Sequence, residues 1–252
     1  MTPAIAAAVA AVALLYASVG HAGATGYIAV MTLAGLEPAF IRPTALTLNV
    51  VVATIATAQF VRAGHFDRGL FVPLAIASVP CAVVGGALAL PTGAFQAILG
   101  VVLGASAVKL VVEAARGPGA TTAEPVSSWW AGRSLPRQAA LAALGAGIGL
   151  LSGLTGVGGG VFLTPVMLAV RAAPVRTVAA VTAPFILVNS LSGLVGGLVA
   201  GRPLPAPGIA VVAAAAVGGA AGAWLGAFRL PVRAIRLLIA AVLAVASWRL
   251  LL

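Results

Sequence analysis

Leu154-Thr155-Gly156-Val157-Gly158-Gly159-Gly160 sets four glycines in five positions inside an apolar run, and Val161-Phe162-Leu163-Thr164-Pro165 leads out of it. Such a cluster destroys helix propensity. In water it would be a loop, but the flanks here are as apolar as a membrane helix. A helix break frees backbone N–H and C=O groups, which are tolerated at membrane depth only where protein or an aqueous cavity satisfies them. In secondary transporters, interrupted helices mark the substrate site, and half-helix N-termini turn towards anionic groups. A weaker break stands near the start of the chain, at Gly20-His21-Ala22-Gly23-Ala24-Thr25-Gly26. Two breaks in matching positions of two halves point to transport.

Composition extends this reading to the whole chain. Its 252 residues are 62% hydrophobic and 7% charged, with a mean hydropathy of +1.17. A soluble domain carries about 25% charged residues, so this chain belongs almost entirely in a bilayer. The net charge is +10. Its basic residues are scattered in short loops between apolar runs, which fits membrane orientation rather than nucleic-acid binding. Cys81 is the single cysteine, which excludes an internal disulfide and a cysteine metal cluster. Val19-Gly20-His21-Ala22 has the small residues of a signal-peptide cleavage site. No Lys or Arg precedes it, so the basic n-region is missing and the stretch is read as retained.

Eight apolar segments are legible, at 3–35, 44–61, 70–90, 94–113, 138–170, 177–200, 208–228 and 234–252. Six suit one crossing each; the first and fifth are longer and contain the glycine breaks. The expected fold is therefore all-α and polytopic, with a membrane repeat over 1–113, a polar linker over 114–137 and a second repeat over 138–252. The linker holds Pro118, Pro125, Pro136 and the pair Trp129-Trp130, which suits the headgroup level. The halves echo each other. Ser18, Gly26 and Arg42 recur as Ser152, Gly160 and Arg176, then Asn49 recurs as Asn189, and Gly86, Leu90 and Pro91 as Gly226, Leu230 and Pro231. The pairs Gly85-Gly86, Gly196-Gly197 and Gly218-Gly219 read as helix-packing positions.

Charge distribution orients the halves. If all eight segments cross, the 14 Lys and Arg divide 8 against 6. If segments one and five are re-entrant hairpins that turn back at their breaks, the division becomes 11 against 3, with Arg42, Arg202 and Arg249 on the lightly charged side. The positive-inside tendency favours the second arrangement. It gives each half an odd number of crossings and makes the repeats inverted, with both termini outward and the linker cytoplasmic.

Only four carboxylates exist, Glu37, Asp67, Glu113 and Glu124, all at segment ends or in loops. That removes the usual intramembrane proton or sodium carboxylate, paired-carboxylate catalysis and most metal sites. No catalytic residue, metal or cofactor is expected. Neutral polar groups remain around the breaks: Ser18, His21, Gly23, Thr25 and Gly26 at the first; Ser152, Thr155, Gly156, Gly158, Gly159, Gly160 and Thr164 at the second. The following helices add Thr47 and Asn49, or Thr182, Asn189 and Ser190. Hydroxyls, amides and free N–H groups without fixed negative charge suit a small oxyanion. Arg42 and Arg176 read either as headgroup-bound end charges or as electropositive lures at a vestibule. His21 reads either as a satisfied polar residue or as a proton-coupling group.

The run Gly153 to Gly160, followed by Pro165, a basic residue and a helix bearing Asn189-Ser190, resembles the sulfite exporter (TauE/SafE-type) family over nearly the whole chain. The first half departs from the motif at Gly23-Ala24-Thr25-Gly26, and His21 is not part of it. The resemblance implies a multi-pass inner-membrane permease exporting sulfite or small sulfonated organic anions. Sulfite changes protonation near neutral pH, so it can carry its own proton. A passive anion channel and a scaffold acting through the linker are the rival readings; the sequence leaves homo-oligomerisation open.

Overall fold

The computed structural model describes residues 2–88, 134–204 and 207–251, together with positions 104, 107, 108, 111, 112 and 115. The expected fourth segment, most of the linker and its tryptophan pair lie outside the described residues. Described elements are all helical: α1 (Pro3–Ala17), α2 (Ala24–Leu33), α3 (Pro38–Arg62), α4 (Arg68–Ala87), α5 (Leu135–Thr155), α6 (Gly160–Ala169), α7 (Val175–Val199), α8 (Ile209–Trp224), which continues in a π-helical turn (Leu225–Arg229), and α9 (Val232–Leu251). Five of them, α3, α4, α5, α7 and α8 with its π turn, are long and apolar enough to cross a bilayer. The first expected segment is the pair α1 and α2, and the fifth is the pair α5 and α6. At 1.5 Å per residue the ten-residue α2 and α6 reach about 15 Å, half of the roughly 30 Å hydrocarbon core.

Helix starts lie earlier than hydropathy suggested. α3 takes in Arg42 and Pro43, α7 takes in Arg176, and α5 begins at Leu135 with Arg137 buried in its first turn. A first turn has no i−4 partners to lose, so α5 and α7 accept polar heads there; Arg42 and Pro43 stand in the second turn of α3, where Pro43 is an interior proline. α4 starts on Asp67, whose Oδ1 accepts from the Gly69 and Leu70 N–H groups at 2.7 and 3.3 Å.

Contacts fix how the helices run. Ser190 lies on Asn49 and Gly193 on Leu46, so α3 and α7 are antiparallel. On α5, Gly145, Gly149 and Gly153 face the backbone of Leu74, Ser78 and Ala82, in constant step, so α4 and α5 are parallel. Gly218, Gly222 and Gly226 face the backbone of Ala10, Leu14 and Ser18 in the same way, so α1 and α8 (with its π turn) are also parallel. A methyl group at any of these six glycines would run into a main-chain carbonyl, which is the close approach that small residues permit between membrane helices. α1 of the first half is thus packed on α8 of the second, and α5 of the second on α4 of the first. Ile76 and Val217, each 71% exposed, lie on apolar faces that suit lipid tails.

One end of the bundle gathers the start of α3 with the ends of α4 and α7. The other gathers the end of α3 with the starts of α4, α5 and α7. α2 turns back along α1, because Gly26 lies against Val12 and Tyr16. α6 leads back to the end from which α5 set out, where Ala172 and Ala173 share a cavity with Arg137.

Candidate functional site

The second break is built from left-handed backbone. Gly156, Gly158 and Gly159 have φ of 74°, 82° and 83°, a region that residues with a Cβ rarely enter. The first break uses Gly20 and Gly23, with φ of 78° and 109°. Gly23 and Gly159 are the N-caps of α2 and α6, and neither offers a side chain to the exposed N–H groups. Each helix therefore presents a bare, electropositive N-terminus. His21 joins them. Its Nδ1 lies 3.2 Å from the Val19 carbonyl, the ring faces the Gly160 backbone, and Nε2 is buried without a hydrogen-bond partner. Both breaks press on the same stretch of α7, Gly20 against Ala179 and Gly160 against Thr182.

Asn49 reaches the second break from α3. Its Nδ2 donates to the Val157 carbonyl at 3.4 Å and to Ser190 Oγ at 3.3 Å. Both bonds are longer than the 2.7–3.2 Å of a good N–H···O bond, so a stronger acceptor can displace them. Gly158 sits against both Asn49 and Ser190, and Gly159 against Ser152. Asn49 Oδ1 and Ser152 Oγ are buried without partners. His21 Nε2 is a third such atom at the breaks; others, including Thr44 Oγ1, Gln59 Oε1 and Asn189 Oδ1, lie elsewhere among the described residues. Thr164 and Thr182 hydroxyls meet at 3.2 Å, tying α6 to α7.

Other expected residues are engaged elsewhere. Asn189 donates to Ser78 Oγ on α4 at 3.2 Å and to the Phe185 carbonyl at 2.8 Å, so its amide is turned away from Asn49. Ser18 donates to the Leu15 carbonyl and Thr155 to the Leu151 carbonyl, within their own helices. Thr25 donates to Tyr16 Oη at 2.9 Å, holding α2 to α1. Arg42 and Arg176 lie at opposite ends of the bundle. Arg42 donates to the Gly153 carbonyl just before the second break, and Arg176 to the Leu230 carbonyl at 2.8 Å.

Two cavities flank the centre. One, of about 530 Å³, is lined by Arg42, Leu46, Gly86, Gly193 and Arg202. The other, of about 380 Å³, is lined by His65, Asp67, Arg68, Arg137 and Thr177. In the turn between α3 and α4, partial burial and then the charge of Arg176 hold His65 below the ordinary histidine value. Arg202 was not among the residues expected at a site. Its signal was present, since it is one of three basic residues on the lightly charged side of the hairpin topology.

Bilayer-length helices, two broken segments that press on the same stretch of α7, and the shortage of carboxylates define a polytopic transporter architecture. The profile of the sulfite exporter TauE/SafE family matches residues 5–250. The chain belongs to that family of membrane transporters. A probable membrane transporter protein, y4hK, of Sinorhizobium fredii is 38% identical over 240 residues, which cover 95% of this chain and 94% of that protein. No solved structure matches the chain.

Proposed function

We propose that the chain is a secondary transporter that exports sulfite or small sulfonated organic anions through a central site between its two breaks. The observation that carries this reading is that both breaks, each leading into a helix with an uncapped N-terminus, press on one stretch of α7, Gly20 at Ala179 and Gly160 at Thr182. Uncapped helix N-termini on a shared wall, with no carboxylate among the described residues at the breaks, form a place for an anion. Asn49, Ser190 and Ser152 supply polar contacts there, and the flanking cavities supply a route from each side. Charge-assisted bonds to an oxyanion outcompete the long bonds that Asn49 makes now.

The antiparallel course of α3 and α7, which carry the matching Asn49 and Asn189, supports inverted repeats. The return of α2 and α6 to the ends from which α1 and α5 set out supports re-entrant hairpins. With 11 basic residues on the His65 side and 3 on the Arg202 side, the positive-inside tendency makes the His65 side cytoplasmic, in an inner membrane. Alternating access then moves the anion from the cytoplasmic cavity to the outer one. Sulfite brings its own proton, or His21 carries one; in either case an imposed pH gradient changes the flux.

Gly159→Leu tests the site. Leu at a left-handed position beside Phe185 and Ser152 closes the break, so sulfite flux into proteoliposomes is lost while the protein still inserts. Full flux in this variant overturns the site. Flux that never accumulates sulfite against its gradient identifies a passive channel instead.

A further inference from the structure

The cavity between the start of α3 and the end of α7 holds two cations that the central site leaves unused. Arg42 and Arg202 both line it, and their charges stand close enough to repel. No carboxylate is among the described residues of its wall. Under the re-entrant topology only 3 of the 14 basic residues fall on this side, and two of them share this one cavity. Membrane orientation disfavours arginine there, so the pair calls for a local reason. Helix capping supplies only part of one. A guanidinium has five N–H donors; Arg42 donates through Nη2 to Gly153. Arg202 donates to the Gly86, Ala87 and Leu88 carbonyls at 3.0, 3.4 and 3.3 Å, two of them long. The rest of the wall is hydrocarbon, including Pro43, Leu46, Leu194 and Leu198. A volume of about 530 Å³ with an apolar wall and few polar groups is that of a pocket for an organic ligand. A three-oxygen inorganic ion would leave most of it empty.

We infer that this cavity is a second anion site, on the outer side, where Arg42 and Arg202 hold an oxyanion headgroup and the apolar wall receives its hydrocarbon body. The inference rests on the transporter reading of the central site. An oxyanion between two guanidiniums cancels their repulsion and accepts charge-assisted, bidentate bonds. It also competes with the Gly153 carbonyl for Arg42, at the residue that leads into the second break. Release to the outside thus passes between two arginines, and an organic sulfonate is held there more tightly than sulfite.

Calorimetric titration of the purified, detergent-solubilised protein with butanesulfonate and with sulfite tests this. Butanesulfonate is expected to bind at least tenfold more tightly than sulfite. Arg202→Gln keeps donors for the α4 carbonyls but removes the charge; Leu198→Trp fills the cavity from a position that is 46% exposed. Each is expected to weaken butanesulfonate at least tenfold, whereas Gly147→Ala, where an added methyl group meets nothing within 4 Å, leaves that binding in place. No butanesulfonate binding by the wild type, or wild-type affinity in both cavity variants, overturns the inference. The central site is judged separately, by the Gly159→Leu flux. Excess phosphatidylglycerol in the detergent distinguishes the source of the ligand: unchanged butanesulfonate affinity sustains a soluble cargo, and competitive displacement overturns it in favour of a lipid headgroup.

Discussion

Asn49 is the most informative single side chain, because it reaches across the molecule to the second break with an amide that is only loosely held. Asn49→Asp changes the size little but sets a carboxylate where the anion is to sit. Sulfite flux at neutral pH is expected to fall at least tenfold, and acidification, which neutralises the new group, to restore part of it. Flux equal to the wild type would remove Asn49 from the site. The glycines of the breaks and Asn49 were legible in the sequence because their chemistry admits few alternatives: clustered glycine ends a helix, and a buried amide needs partners. Hydroxyls were legible only in part: Ser152 and Ser190 lie at the second break, whereas Ser18 and Thr155 turn to their own helix backbone, a local choice that composition does not encode. Repetition misled for Asn189. It matches Asn49 in sequence position but has Ser78 beside it. Arg202 escaped notice because a basic residue just past an apolar run reads as an ordinary end charge.

Among elements, α5 is the one whose sequence carries the most packing information. Gly145, Gly149 and Gly153 recur every fourth residue, along the stripe that faces α4, and each is pressed onto main chain. Gly149→Val therefore overpacks the interface and is expected to cost about 1–3 kcal/mol or more. A methyl group at Gly147 would have nothing within 4 Å of it, so Gly147→Ala is expected to stabilise by about 0.5–1 kcal/mol. Thermal unfolding of the two variants in detergent checks the contrast; equal midpoints would show that the α4–α5 contact is looser than described. The glycine pairs read as packing sites behave unequally. Gly85, Gly86, Gly196, Gly218 and Gly219 meet close neighbours, whereas Gly197 meets none. Helix existence followed from hydropathy, but several helix starts did not, because arginines and prolines in the opening turns look like loop residues to a hydropathy window.

For the whole molecule, the hairpin arrangement makes a topological prediction. In a background with Cys81→Ala, cysteines at positions 62 and 171 are expected to be closed to a membrane-impermeant thiol reagent applied outside, and one at 204 open to it. Opposite accessibility of 62 and 171 would restore eight crossings. The charge asymmetry is the sequence feature on which this arrangement rests. The exchange of α1 and α5 between halves was not, since glycine spacing shows that a helix is approached closely but not by which partner. That exchange bears on how the protein is made. α1 leaves the ribosome first, yet the helix it packs against is among the last to be synthesised, so the nascent first half waits in the bilayer with an unmatched surface. A chain cut within 114–137 is expected to yield active transporter when both pieces are produced together, and each piece alone to be degraded. Assembly, rather than insertion, is then the step that quality-control proteases inspect.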